Sequence, residues 1–421
     1  MDIAAQMRLI AQGARAASRK LAAAEGSLRQ QALLNLAALL ADRAEHVKSA
    51  NARDVDAASA RGLDQARLDR LTITDKVLSG MIQGCREVAA MSDPVGEILS
   101  MHKRPNGMLV GRMRVPLGVV AMIFESRPNA AVDAAVLCIK SGNAAILRGG
   151  SEAFHSIAAL TGIVHEALEQ AGLPAQCVQV PPTTDRAAVA ALLKLDEFID
   201  VVIPRGGEGL IRAVVEQASM PVLKHYKGVC HTFVDKSADL DRAVDIVLNA
   251  KTQRPGTCNS LECLLVHQDA AASFLPAVAK ALGAAGVLCK CCPRSLPLVA
   301  PHAPSEPAVE ADWGHEFLAL TLAVKVVADL DEGLEHIARH GSNHTEAILT
   351  NDHANAMRFT READASMVAV NASTRLNDGG ELGLGAEIGI STTKLHAYGP
   401  MGILELTSAK FVVLGQGQIR Q

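Results

Sequence analysis

Val119-Val120-Ala121-Met122-Ile123-Phe124 carries no charge and no turn former, and it is followed by a longer apolar stretch, 130–140, and then by Ala144-Ala145-Ile146-Leu147. The first and last runs have the length of buried strands, and the stretch between them has the length of a helix. The alternation continues with a helix over 153–171, a strand at 178–180, a helix over 185–193 and a strand at 201–203. A second series opens near Thr232 and runs through apolar segments 261–266, 320–327 and 347–350. Repeated strand-helix units predict parallel sheets covered on both faces, so the fold class is α/β with two parallel-sheet domains.

Upstream, 4–60 reads as packing helices: Leu33, Leu36, Ala37, Leu40, Ala44 and Val47 recur every three or four positions between charges. The period then changes. Residues 98–115 are short and alternating and are interrupted at Pro105-Asn106-Gly107, the signature of a hairpin with its turn at Asn-Gly. Such a hairpin offers an edge for pairing with another subunit.

Composition narrows the function. A chain of 421 residues with 49% hydrophobic content supports about two or three domains with real cores. A net charge of -4 and a pI near 6.4 give no general attraction to nucleic acid or anionic lipid. An anion must therefore be held by a local site. The start, Met1-Asp2-Ile3-Ala4-Ala5-Gln6, lacks a basic region followed by an apolar core, and no long uncharged apolar run occurs, so neither export nor membrane spanning is expected. Nine cysteines, most of them inside apolar runs (Cys85, Cys138, Cys177, Cys263), fit a reducing cytoplasm. Cys289, Cys291 and Cys292, with His302 downstream, lack a second ligand pair at zinc-finger spacing and read as packed thiols; no metal is expected.

One thiol stands apart. Gln253-Arg254-Pro255-Gly256-Thr257-Cys258-Asn259-Ser260-Leu261-Glu262 holds Cys258 in a tight turn ahead of an apolar run that reads as helix or strand. Unpaired backbone N–H groups and the neighbouring Arg254 favour the thiolate, the nucleophilic form. Two loops look suited to a nucleotide. Pro204-Arg205-Gly206-Gly207-Glu208-Gly209 joins the 201–203 strand to a helical run, and N–H groups at a helix start suit a pyrophosphate. The conventional dinucleotide glycine spacing is absent. In Lys140-Ser141-Gly142-Asn143-Ala144-Ala145-Ile146-Leu147-Arg148-Gly149-Gly150-Ser151-Glu152, Arg148 and Ser151 follow a strand, and a positive fork beside a hydroxyl suits the 2'-phosphate of NADP.

These strings, together with Phe124-Glu125-Ser126-Arg127-Pro128-Asn129, Lys224-His225-Tyr226, Gly341-Ser342-Asn343-His344-Thr345-Glu346-Ala347, Asn371-Ala372-Ser373-Thr374-Arg375 and 383–395, resemble the gamma-glutamyl phosphate reductase family, the proline-biosynthetic branch of the aldehyde dehydrogenase superfamily. The resemblance spans nearly the whole chain. It implies an aldehyde dehydrogenase-like fold and an NADPH-dependent reduction of L-glutamyl 5-phosphate to L-glutamate 5-semialdehyde and phosphate. It also implies an NADP-binding domain from 1–97 and 116–227, a catalytic domain from 228–382, and a small β oligomerisation element from 98–115 and 395–421, in a homodimer or homotetramer.

By the same resemblance Cys258 is the nucleophile that forms a thioacyl enzyme. Asn129, or else Arg127, supplies a side-chain donor to the oxyanion. Lys140, Arg148 and Ser151 fall near the adenosine end of the cofactor, Gly206 and Gly207 near its pyrophosphate, and Glu316 at the nicotinamide ribose. His225 occupies the place of the Glu that activates water in hydrolytic relatives. Arg254, Arg375 and Lys394 are substrate-binding candidates by charge. Tyr398 and Lys227 depart from the branch pattern. Three other readings remain open: another phosphate-dependent aldehyde dehydrogenase, a CoA-acylating one, or a non-catalytic partner of glutamate 5-kinase.

Overall fold

The structure is a computed structural model describing residues 2–420. Two compact units make up the chain. One takes the chain up to Lys224 and returns with Gly383–Gly389 and 401–420; the other comprises His225–Leu382 and Ile390–Pro400.

In the first unit, helices Ile3–Ala23, Gly26–Asp42 and Ala44–Ala60 occupy the region where the apolar period predicts them, followed by Gln65–Leu71 and Asp75–Ala90. The first of them packs on a four-stranded sheet ordered Val178–Gln179, Ala144–Arg148, Val119–Phe124, Val201–Arg205. All its pairings are parallel. Every side chain of Val119–Phe124 is buried, which is why that run shows no alternation. Separate from this sheet, Ile98–Lys103 and Leu109–Pro116 form the expected hairpin, and Thr407–Leu414 adds a third, antiparallel strand. Gly107 takes φ 89° in the turn, a conformation open to glycine without strain. Phe411, Val413 and Leu414 on the added strand are exposed.

The second unit is built on seven parallel strands: Ser305–Pro307, Leu288–Cys291, Thr321–Val327, Leu261–His267, Cys230–Val234, Thr345–Leu349 and Met367–Val370, in that order. Leu261–His267 lies near the middle and is buried throughout. Its pairing with Cys230–Val234 slips between Cys230 and His231, because Cys230 faces Leu261 while His231 faces Cys263. The extra residue is Glu262, and a bulge of this kind re-aims a side chain. Its carboxylate meets Lys251 Nζ at 2.8 Å, and Lys251 also donates to the Leu261 carbonyl at 2.9 Å. Lys251 comes from the last turn of helix Leu240–Thr252, whose start is capped by Asp239. Both charged side chains are fully buried, so the pair ties the two ends of the segment carrying Cys258.

Removing one partner leaves an uncompensated buried charge, so Glu262→Ala alone lowers unfolding stability by about 3–5 kcal/mol. The double replacement Lys251→Met, Glu262→Leu lowers it by less. Urea unfolding of the three proteins checks this, and equal losses in the single and double variants would refute the pairing.

Candidate active site

Cys258 sits three residues ahead of strand Leu261–His267. The run after the cysteine is therefore a strand, and no helix begins at the thiol. Ordinary thiols titrate near 9.0; burial would push Cys258 higher, but His344 and His225 beside the sulfur outweigh burial and hold it well below that value. This corrects the expected origin of the acidity: the imidazoles, not Arg254 or a helix terminus, make the thiolate. Donor atoms of His225, Cys258 and His344 lie within 4.8 Å of one another.

Parallel pairing explains how residues so distant in sequence meet. Cys230–Val234, Leu261–His267 and Thr345–Leu349 are hydrogen-bonded neighbours, so the segments entering them, which carry Gly228, Cys258 and His344, arrive at one edge of the sheet. His225 Nδ1 lies 2.9 Å from the Ile390 carbonyl and donates to it. His344 Nδ1 lies 2.7 Å from Thr345 Oγ1, and Asn377 Nδ2 donates to that same hydroxyl at 2.7 Å. Asn259 Nδ2 in turn donates to the Asn377 carbonyl at 2.9 Å, which clamps the cysteine loop to the start of the strand that follows His344. Cys230 Sγ donates to the Cys258 carbonyl at 3.1 Å. A Cβ on Gly228 would stand 1.8 Å from the Cys258 carbonyl oxygen, so only glycine admits the loop this closely.

Glu316 is half-buried and accepts from the Gly228 N–H at 2.8 Å. Burial raises its pKa, that hydrogen bond opposes the rise, and the charge of Cys258 adds to it. Lys227, one of the two departures from the branch pattern, donates to the Gly314 carbonyl at 2.8 Å. Arg375 donates through Nε to Gln253 at 2.9 Å. Its pKa is lowered by burial; Asp378 opposes this, Arg254 adds to it, and Cys258 is a further charged neighbour. Arg375 thus feels the charges of both Arg254 and the thiol. Lys394 does something else: its ammonium pairs with Asp364 at 2.6 Å, and Tyr398, the other departure, donates to the same carboxylate at 3.1 Å.

The first unit holds the remaining candidates. Ser126 takes φ 43°, unusual for a residue with a side chain, and is held there by Glu152, which accepts from its N–H and its hydroxyl at 2.8 Å each. Arg127 and Asn129 follow. Asn129 opens helix Asn129–Lys140 and donates to Asp133 at 3.1 Å. Burial pushes Asp133 up to about 7, against the Asn129 hydrogen bond and the charge of Arg205.

Arg148 ends its strand buried and donates to the carbonyls of Gly149 and Thr184. Its Nε has no hydrogen-bond partner. Next to this turn lies a cavity of about 150 Å³ lined by Asp54, Arg61, Ser151, Glu152, His155 and Thr184, among others. Gly207 caps helix Glu208–Gln217, and its N–H donates to the Glu125 carboxylate at 3.1 Å. An acid of the chain itself therefore stands where an anionic ligand would bind. Lys140 lies at the opposite end of its helix from Asn129, with its ammonium buried against the Ala89 carbonyl at 2.9 Å. That is the edge away from Arg148 and Ser151.

Sequence reasoning gave no role to His344, Gly228, Cys230 or Asn377. His344 stands inside a quoted motif, but nothing in its spacing to Cys258 reveals that two strand pairings bring them together. The thiols of Cys289 and Cys291 are buried, and burial pushes them up to about 12 and about 11.

A model of the aldehyde dehydrogenase family matches residues 3–287. The chain is 64% identical over 420 residues to a gamma-glutamyl phosphate reductase of Solidesulfovibrio magneticus, with 100% of each chain covered. It is 63% identical to that of Maridesulfovibrio salexigens, with 98% of each covered. The crystal structure of gamma-glutamyl phosphate reductase from Thermotoga maritima superposes with a TM-score of 0.94 at 44% identity, covering 99% of this chain and 100% of that one. An acetylating aldehyde dehydrogenase from Geobacillus thermoglucosidasius shares the fold at 19% identity, with a TM-score of 0.73 and coverage of 100% and 98%. With its nucleophile loop, its parallel sheets and its full-length likeness to these proteins, the chain belongs to the gamma-glutamyl phosphate reductase branch of the aldehyde dehydrogenase family.

Proposed function

We propose that this protein reduces L-glutamyl 5-phosphate to L-glutamate 5-semialdehyde, with NADPH as reductant, in the cytoplasmic synthesis of proline. The observation that carries the reading is the thiolate of Cys258, held by His344 and His225, in a chain so close over its full length to the named reductases. The substrate is a mixed anhydride, already electrophilic. Cys258 attacks its acyl carbon, the C–S bond forms, the C–O bond to phosphate breaks, and phosphate leaves without a strong acid. Arg254 and Arg375 offer two guanidinium groups to the departing phosphate or to the α-carboxylate.

The oxyanion of the reacting carbonyl is assigned to the Cys258 N–H and to the Asn129 amide, of which one N–H is engaged by Asp133. The bound nicotinamide supplies the hydride. Collapse of the hemithioacetal then breaks the C–S bond and returns the sulfur to its two imidazoles as a thiolate. The features that would hold the cofactor are the Gly206-Gly207 turn ahead of a helix, for pyrophosphate once Glu125 releases the Gly207 N–H, together with Arg148 and the cavity at Ser151, where Arg61 stands beside Asp54 and Glu152. Glu316, fixed by Gly228, is assigned to the nicotinamide ribose. We read the exposed apolar strand Thr407–Leu414 with its hairpin as the dimer or tetramer contact, and glutamate 5-kinase as the source of the substrate.

The assay is phosphate-dependent reduction of NADP by glutamate semialdehyde. Cys258→Ala abolishes it. His344→Gln lowers kcat/KM by about 100-fold or more and moves its acid limb to higher pH, because the thiol loses a group that depresses its pKa. Full activity in Cys258→Ala overturns the reading, and CoA replacing phosphate as acceptor shifts it to the acylating class.

His225→Glu restores a carboxylate where hydrolytic relatives carry one, so the NADP reduction left in that variant, slowed because the thiolate loses one of its imidazoles, no longer needs phosphate and yields glutamate. An unchanged phosphate requirement counts against the assignment of His225. Ser151→Glu sets a negative charge against the 2'-phosphate; steady-state kinetics then show a raised KM for NADPH with that for NADH little changed.

A further inference from the structure

Among the described residues, two groups of histidine and cysteine have donor atoms clustered within 4.8 Å: His225, Cys258 and His344, and the buried set His231, Cys263 and His336. Their outer shells separate them. In the buried set Lys325 Nζ lies 3.0 Å from His336 Nδ1. An ammonium only donates, so that ring keeps its proton on Nε2, the nitrogen 3.6 Å from Cys263 Sγ, where a metal would need a lone pair. All three side chains are shut off from solvent as well.

The group at Cys258 has the opposite character. Nδ1 of His225 donates to the Ile390 carbonyl, which leaves Nε2 as the lone-pair nitrogen of the neutral ring. Nδ1 of His344 rests on the Thr345 hydroxyl, which can accept its proton. His344 Nε2 is completely buried and has no hydrogen-bond partner. Oxygen partners on the outer nitrogen are what fix ring orientation and tautomer in metal-binding histidines. Cys258 and His225 are only half-buried, so a fourth position stays open to water. Two imidazoles, a thiolate and an open position make the ligand set of an open zinc site.

We propose that the resting enzyme binds a borderline-soft divalent cation, with Zn2+ as the probe, on Cys258, His225 and His344, and that this reversibly silences it. Coordination takes the thiolate and two neutral imidazoles; any proton held among them leaves to solvent. The silencing rests on Cys258 being the nucleophile, whereas the binding does not.

The test is calorimetric titration of the intact, substrate-free enzyme with Zn2+, together with Co2+ absorption to find a thiolate-to-metal charge-transfer band. Losing an inner ligand matters at least as much as losing an outer-shell partner, so Cys258→Ser and His344→Gln each weaken affinity by at least about 10–100-fold. Cys263→Ser leaves it unchanged. Zn2+ also shields Cys258 from iodoacetamide in the wild type, and a chelator restores alkylation. Undiminished affinity in Cys258→Ser, loss of affinity in Cys263→Ser, a missing charge-transfer band, or unslowed alkylation of Cys258 under saturating Zn2+ would each overturn the site. Binding and shielding with turnover unaffected would leave the site standing and instead remove Cys258 from the reaction.

Discussion

The chain's chemistry depends on keeping a negative charge on a sulfur that burial alone would protonate. Desolvation is the largest influence on Cys258, and it acts in the wrong direction. Two imidazoles reverse it, and each is oriented from behind, His225 by the Ile390 carbonyl and His344 by the Thr345 hydroxyl. Cys230 shows what happens without that help. It is fully buried a few ångströms away, donates to the Cys258 carbonyl, and its pKa is raised well above the ordinary thiol value, by burial first and then by the charges of Glu346 and Cys258. Two neighbouring thiols thus differ in kind because of what their surroundings do to a charge.

Holding that arrangement places demands on the scaffold. The loop of Cys258 is pinned from one side by the absence of a side chain at Gly228 and from the other by the chain Asn259, Asn377, Thr345, His344. Beneath it, the bulge that turns Glu262 toward Lys251 joins the strand after the nucleophile to the helix before it. A buried ion pair is a weak source of stability but a strong constraint on register, since either charge alone has nowhere to go.

Much of this fold was legible because strands buried on both faces leave uninterrupted apolar runs. The segments 119–124, 144–147 and 263–266 stand out for that reason, and Asn106-Gly107 marks the hairpin by turn chemistry alone. Cys258 was legible from its loop and from the resemblance. The cause of its reactivity was not, because Arg254 is near in sequence while His344 is near only through strand order. Lys140 illustrates the reverse error of proximity. It belongs to the same quoted string as Arg148, yet a helix running back along the sheet carries it to the far edge, where it satisfies Ala89.

The rule that ligands of open α/β sheets gather beyond the carboxyl ends of the strands holds for one sheet here. In the first unit Arg148 ends its strand, and Ser151 and Gly206 follow theirs. In the second unit Gly228, Cys258, Glu316 and His344 all precede theirs. The nucleophile therefore lies at the amino edge, three residues ahead of a strand rather than at the start of a helix of its own. That polarity explains why the electrostatic work falls to side chains. A carboxyl-edge cysteine at a helix start could draw on the backbone, whereas Cys258, entering a strand, needs His344 and His225.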